Sequence, residues 1–234
     1  MRVFGVKLAI ILIFLTGLVA ACQESVTRNE GARILAVGDS LMAWNSAWGS
    51  SIPHVMEEVL GETVVDRSIR GAWMTVRDPG NEKGGINIPN QYVSGEWDWV
   101  IVNGGGNDLL FGCGCGRCSG MLDRMISKDG MSGQIPAFAR RVRDDGARVL
   151  FTGYLRSPGL LTPIEHCKPA GDELEARLVK LASNEDGIVF VSNKDVVPSG
   201  GITYFSPDLI HPSRKSSRII GRKLATVITQ FDSR

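Results

Sequence analysis

The chain predicts a three-layer α/β/α fold, with helices on both faces of a parallel sheet of about five strands. Two observations carry this. Short apolar runs at 33–37, 63–67, 98–103, 147–152 and 187–192 alternate with longer helical patterns at 52–60, 133–145, 171–183 and 213–230, the signature of βα units wound into a parallel sheet. Beyond its first 21 residues the chain has 213 left of its 234, a length that suits one α/β domain with a sizeable core.

The elements follow in order. Arg2 and Lys7 form a short basic region, and Leu8 to Ala21 is an almost unbroken apolar run ending in small residues. That run is too short for an ordinary spanning helix and has the pattern of a secretory signal. The junction Leu18-Val19-Ala20-Ala21-Cys22 looks like a bacterial lipobox, cleaved before a cysteine that carries lipid; a plain signal peptide cut after Ala21 is the alternative. Gln23, rather than Asp, follows the cysteine, which resembles lipoproteins sorted to an outer membrane. The expected organisation is therefore a signal at 1–21, a polar tether at 22–32 and a folded domain at 33–234, lipid-anchored at Cys22 and facing the periplasm.

Arg33-Ile34-Leu35-Ala36-Val37 reads as a buried first strand running into Gly38-Asp39-Ser40-Leu41. The segment from Val76 to Trp97, rich in Gly, Pro and Asn, reads as a rim loop with a short helix near Pro89–Val93. The last helix is well marked, because Pro212-Ser213 opens it and Ile219, Ile220, Leu224, Ala225, Val227 and Ile228 form one apolar stripe. In a flavodoxin-like sheet of order 2-1-3-4-5, ligands bind beyond the carboxyl ends of strands one and three, where the winding reverses. Ser40 and Asn107 follow those two strands, so both flank the predicted crevice.

A serine hydroxyl is a weak nucleophile and needs a positioned base, usually an imidazole oriented by a carboxylate. Asp208-Leu209-Ile210-His211 supplies both within four residues. Acidic and basic residues nearly cancel, 25 against 26, and no basic run interleaved with aromatics points to nucleic acid. Asp39 is expected to be structural. His54 and His166 have no placed partner. Trp44, Trp48 and Trp73 lie just beyond the motif blocks, where they either line an acyl or sugar pocket or pack in the core or rim.

Four blocks in order, Gly38-Asp39-Ser40-Leu41, Ser68-Ile69-Arg70-Gly71, Gly105-Gly106-Asn107-Asp108 and Asp208-Leu209-Ile210-His211, resemble the GDSL or SGNH hydrolase superfamily across essentially the whole mature chain. The resemblance implies that Ser40 is the nucleophile, His211 the general base and then acid, and Asp208 the group that orients the imidazole. It also implies an oxyanion hole built from the backbone N–H groups of Ser40 and Gly71 and the Asn107 amide, with no cofactor. The implied activity is hydrolysis of a small-molecule or glycan ester through an acyl-enzyme, with glycan deacetylation the favoured case. Lysophospholipase or thioesterase action, or a non-catalytic binding role on the same scaffold, are the alternatives. Donors aimed at a tetrahedral oxyanion typically contribute on the order of 10²–10³ in rate. Gly71 suits a donor that must approach substrate closely, since it has no Cβ, and Ser40 at a helix start sits near the positive end of a dipole. Two positions depart from the family pattern: Leu209, where Gly is common, and Asp66-Arg67-Ser68, where an Asn-rich turn is common.

Cys113, Cys115, Cys118 and Cys167 remain. In an exported protein an even count favours disulfides. A Cys113–Cys115 bridge closes too tight a ring, which leaves Cys113–Cys118 with Cys115–Cys167, or Cys115–Cys118 with Cys113–Cys167. Either arrangement pins the loop after Asn107 to the loop after strand four. Zinc bound by the same thiols, with Cys167 or His166 completing the set, is the rival reading.

Overall fold

The structure is a computed structural model and describes residues 31–75, 86–159 and 162–233. The signal segment, Cys22 and the tether as far as residue 30 lie outside the described residues, as does 76–85 of the rim loop.

Five parallel strands form one sheet in the order β2-β1-β3-β4-β5: β1 (Ile34–Val37), β2 (Val64–Asp66), β3 (Trp99–Val102), β4 (Arg148–Thr152) and β5 (Ile188–Val191). Every residue of β1 and β3 is buried, as expected of central strands covered on both faces. Side chains alternate between faces with period two, and the two cores follow that alternation. Leu35, Val37, Val100, Val102 and Val149 pack on one side, against α4 (Gln134–Asp144) and α5 (Lys168–Asn184). Ile34, Ala36, Trp99, Ile101 and Leu150 pack on the other, against α2 (Ile52–Leu60) and α6 (Arg214–Asp232).

Two of the longer helices, α2 and α6, open on serine caps. Ser51 and Ser213 each accept a hydrogen bond from the backbone N–H three residues on, starting α2 and α6. Gly61 closes α2 in the left-handed conformation. The helix expected to start at Ser40 is the single turn α1 (Ser40–Ala43), and one helix, α3 (Ser119–Met125) behind the cysteine loop, is additional to the predicted set. α3 is too short to announce itself by apolar periodicity. The rim loop carries a 3-10 turn at Ile88–Asn90, close to the predicted position.

β1 lies between β2 and β3 in register, with Val37 opposite Val102. The chain therefore leaves β1 toward Ser40 and β3 toward Asn107 side by side, at the point where the winding reverses.

Candidate active site

Ser40 opens α1, and Asp39 caps that turn by accepting the Leu41 N–H at 2.9 Å. Because the helix is a single turn, its dipole is slight, and the cap rather than the dipole positions the serine. Gly38 before it is clamped on both sides by the Gln91 side chain. The Gln91 Oε1 accepts the Gly38 N–H at 2.7 Å and its Nε2 donates to the Gly38 carbonyl at 2.9 Å. A Cβ at residue 38 would lie 2.8 Å from the Met42 side chain and 3.0 Å from the Asn103 carbonyl, so this turn admits only glycine without a shift in its surroundings.

The His211 Nε2 lies 2.8 Å from the Ser40 Oγ, and its Nδ1 lies 2.7 Å from the Asp208 Oδ2. The other oxygen of Asp208 accepts the backbone N–H groups of Ile210 and His211, each at 3.0 Å. Burial works to raise the Asp208 pKa, but the backbone N–H and imidazole of His211, with the Ile210 N–H, outweigh it and hold the carboxyl below its usual range. Asp208 is therefore ionised at neutral pH, the state that fixes hydrogen on Nδ1 and leaves Nε2 free to accept the serine proton. Leu209 has φ +57°, in the left-handed region. That is the physical reason a glycine is common there, and a non-glycine residue costs on the order of 1–2 kcal/mol. Leu209 offsets part of this by packing against the core that holds Tyr204 and Phe205.

The imidazole is also held from the side. Trp44 stacks face to face on His211, with ring centroids 3.7 Å apart and planes 6° from parallel. The indole N–H donates to the Ser206 hydroxyl at 2.8 Å, and that hydroxyl donates to the Pro212 carbonyl at 3.0 Å. The Arg70 guanidinium lies 4.6 Å from the Trp44 ring centroid. Of the three tryptophans singled out from the sequence, Trp44 is the one whose ring stacks on His211. Trp48 is 73% exposed, and Trp73 forms a bridge with Asn87 in the rim.

Asn107 follows β3, and its side-chain amide donates to the Ala72 carbonyl at 2.7 Å. This brings it to the turn that carries Gly71. Gly71 adopts φ +78°, and a Cβ there would meet nothing within 4 Å. The positive φ favours glycine there by backbone conformation alone, apart from any room a substrate would need beside it. Its N–H has no acceptor among the described residues. Asp108, fully buried, accepts the N–H groups of Met74 and Thr75 and the Thr75 hydroxyl, tying the two loops together a second time. The Asp66-Arg67-Ser68 departure forms its own turn. The Asp66 Oδ1 accepts the Ser68 N–H at 2.9 Å and its hydroxyl at 2.6 Å, and the Arg67 Nε donates to the Gln91 carbonyl at 2.6 Å.

The cysteines form Cys113–Cys118 and Cys115–Cys167, the first of the two expected arrangements. All four thiols are consumed, so the cluster of Cys115, Cys167 and His166 lacks the thiolates that zinc requires. The long-range bridge ties the loop after Asn107 to the start of α5, beyond β4. His54, with its Nδ1 2.7 Å from the Ser51 hydroxyl, stands at the start of α2 and takes no part in this cluster.

Ser40, Asn107 and His211 line one cavity of about 160 Å³, whose other walls include Leu109, Leu110, Leu155, Ile164 and Ile210. Gly71 is not part of that wall. Chemically, the relay can draw a proton from a hydroxyl at 2.8 Å toward Nε2, while the amide of Asn107 stands nearby as a neutral donor.

A five-stranded parallel sheet with a Ser-His-Asp relay at its switch point is an arrangement that hydrolases of the serine type share. Residues 36–219 match the model of the GDSL-like Lipase/Acylhydrolase family, and the chain belongs to that family, an ester-bond hydrolase with the SGNH fold. No curated protein matches it. Among solved structures it is similar to a Streptococcus pneumonia protein named for platelet activating factor (16% identity, TM-score 0.60, covering 97% of this chain and 99% of that one). It also resembles an inhibitor-bound aryl esterase of M. Smegmatis (19% identity, TM-score 0.55, 86% and 99%). An acetyl xylan esterase from the rumen bacterium Butyrivibrio proteoclasticus is similar at 14% identity and TM-score 0.59, covering 88% of this chain and 66% of that one. At these identities the likeness is one of fold.

The sequence motifs name Ser40, Asp208, His211, Gly71 and Asn107. They miss Gln91, Tyr154 and the stacked position of Trp44. A glutamine in a rim loop and a tyrosine after β4 have no spacing that marks them, because their partners are distant in sequence.

Proposed function

We propose that this protein is a serine esterase in which Ser40 attacks the ester carbonyl, His211 takes its proton, and Asp208 holds the imidazole. The single observation that supports this most directly is the continuous relay from Ser40 through His211 to Asp208, at 2.8 and 2.7 Å. The tetrahedral oxyanion would be met by the N–H groups of Ser40 and Gly71 and the Asn107 amide. Collapse gives an acyl-enzyme on the Ser40 Oγ and releases the alcohol, protonated by His211. Water, deprotonated by the same imidazole, then frees the acid.

For the substrate, the favoured reading is a short acyl ester, such as acetyl on an envelope or extracellular glycan; an acetyl xylan esterase shares the fold. One observation favours a second reading. Leu109, Leu110, Leu155, Ile164 and Ile210 form an apolar part of the cavity wall that includes Ser40, a surface suited to a longer acyl chain, as in a lysophospholipid or thioester. The lipobox-like segment supports an enzyme anchored through lipid on Cys22 in the bacterial envelope, presented to substrates there.

Hydrolysis of chromogenic esters from acetate to palmitate, with acetylated glycans, by the wild type and Ser40→Ala tests both levels. Activity lost in Ser40→Ala supports the mechanism, and the chain-length optimum separates the two substrate readings. Equal rates in both proteins, or none in either across the panel, would leave a binding role. Metabolic labelling with an alkyne fatty acid that persists in Cys22→Ser would refute the anchor.

A further inference from the structure

Asp39 and Tyr154 are ionisable groups that the proposed mechanism does not use, yet they stand in its midst. Asp39 is 2% exposed. One of its oxygens accepts the Leu41 N–H at 2.9 Å, and the other accepts the Tyr154 hydroxyl at 2.5 Å. The same Tyr154 oxygen accepts the Gly106 N–H at 2.9 Å. Gly106 precedes Asn107, and Asn107 in turn donates to Ala72, next to Gly71. One chain of hydrogen bonds therefore runs from the serine turn through Asp39 and Tyr154 to the Asn107 loop, and on to the Gly71 turn. The fit at Gly106 is close: a Cβ there would lie 2.7–2.9 Å from the Tyr154 ring and hydroxyl.

We propose that Tyr154 and Asp39 are positioning residues, a polar strut that fixes the spacing between Ser40 and the oxyanion donors of the Asn107 loop. The inference rests on reading Ser40 as nucleophile. Three segments far apart in sequence meet in this strut, namely the turn after β1, the loop after β3 and the second residue after β4. Without the tyrosine hydroxyl the Gly106 N–H loses its acceptor and Asp39 loses one of its donors. A shift on the order of 1 Å between reacting groups can cost about 10²-fold in rate.

The electrostatics are consistent with a strut that works in one protonation state. Burial pushes the Asp39 carboxyl up to about 6, against the pull of the Tyr154 hydroxyl and the Leu41 N–H, with Asp108 raising it further and His211 lowering it. Burial and the Asp39 charge hold the Tyr154 hydroxyl well above its usual range, so it remains a donor. With donors on both of its oxygens, Asp39 serves the strut as a carboxylate, and protonation on the acid side weakens it. The general base also limits activity on the acid side, so the wild-type profile mixes the two. A variant separates them.

Tyr154→Phe keeps the ring and removes the hydroxyl. Expected is a fall in kcat of about 10- to 100-fold with KM within about threefold. The acid limb of the pH profile should move to higher pH, because a donor that favours the carboxylate is gone. Asp39→Asn, which removes the charge, is expected to lose kcat similarly while its melting temperature at pH 8 does not fall, since a buried carboxylate is costly to hold ionised. Unchanged kcat and pH limb in folded Tyr154→Phe would overturn the strut. So would loss of folding in both variants, which would place the pair in the fold and not the site. Failure of Ser40→Ala to abolish activity is a separate result and counts against the nucleophile.

Discussion

The two halves of the proposed active site are built by opposite means. The acid–base half is local: Asp208 and His211 sit three residues apart, and one carboxylate holds the backbone N–H groups of Ile210 and His211 as well as the imidazole. The proposed oxyanion half is assembled from the turn after β1, the turn after β2 and the loop after β3, held by Gln91, Asp108, Asp39 and Tyr154. A local half tolerates changes elsewhere in the molecule but depends on a single side chain. A distributed half shares its support among many contacts and depends on the packing that brings them together.

The largest expected effect tests the local half. Asp208→Asn keeps an oxygen for the two backbone N–H groups but presents an amide donor to Nδ1, which forces the wrong tautomer. A loss of about 10⁴-fold in kcat is expected, the size seen for such a change in a Ser-His-Asp triad. A loss of tenfold or less would mean that the Trp44 stack, and not the carboxylate, sets the imidazole.

The next tests the distributed half. Replacing Cys115 and Cys167 by Ser opens a bridge that spans 52 residues. Chain-entropy reasoning gives a loss of about 4 kcal/mol in stability, read by denaturant melts. Because this bridge fastens the loop that carries Asn107, kcat should fall as well. Full activity with a lowered melting point would show that the hydrogen bonds of Asp108 and Tyr154 position the loop without it.

The smallest concerns Leu209. Leu209→Gly relieves a positive φ, worth about 1–2 kcal/mol. It also gives up packing and adds chain freedom in the unfolded state, worth about 0.5–1 kcal/mol for the glycine alone. Stability should change by no more than about 1 kcal/mol, and kcat by less than about twofold. A tenfold change in kcat would show that the leucine side chain aims the histidine loop.

The contrast between the halves also explains what could be read in advance. The strands and long helices were legible because each carries its own apolar period: the predicted 52–60 coincides with Ile52–Leu60, and the other elements differ by a few residues at their ends. Ser40, Asp208 and His211 were legible as short motifs at element ends. The reason for Gly71 was not, since a motif records the residue and not the φ of +78° that demands it. The cysteine pairing stayed open between two arrangements because spacing bounds a ring but does not aim a Cβ. Gln91 and Tyr154 carried no signal at all.

By itself, then, the sequence determined the α/β alternation, the positions of the serine and the histidine-bearing loop, and the family they belong to. Those are properties of local period and short-range order. The tertiary structure decided which groups meet across 48 to 167 residues: Tyr154 with Asp39 and Gly106, Gln91 with Gly38, Trp44 with His211, Cys115 with Cys167. The physical reason is that a buried hydrogen bond or ring stack depends on directions fixed to within a few tenths of an ångström by the packed sheet. No pattern along the chain encodes those directions until the sheet has closed.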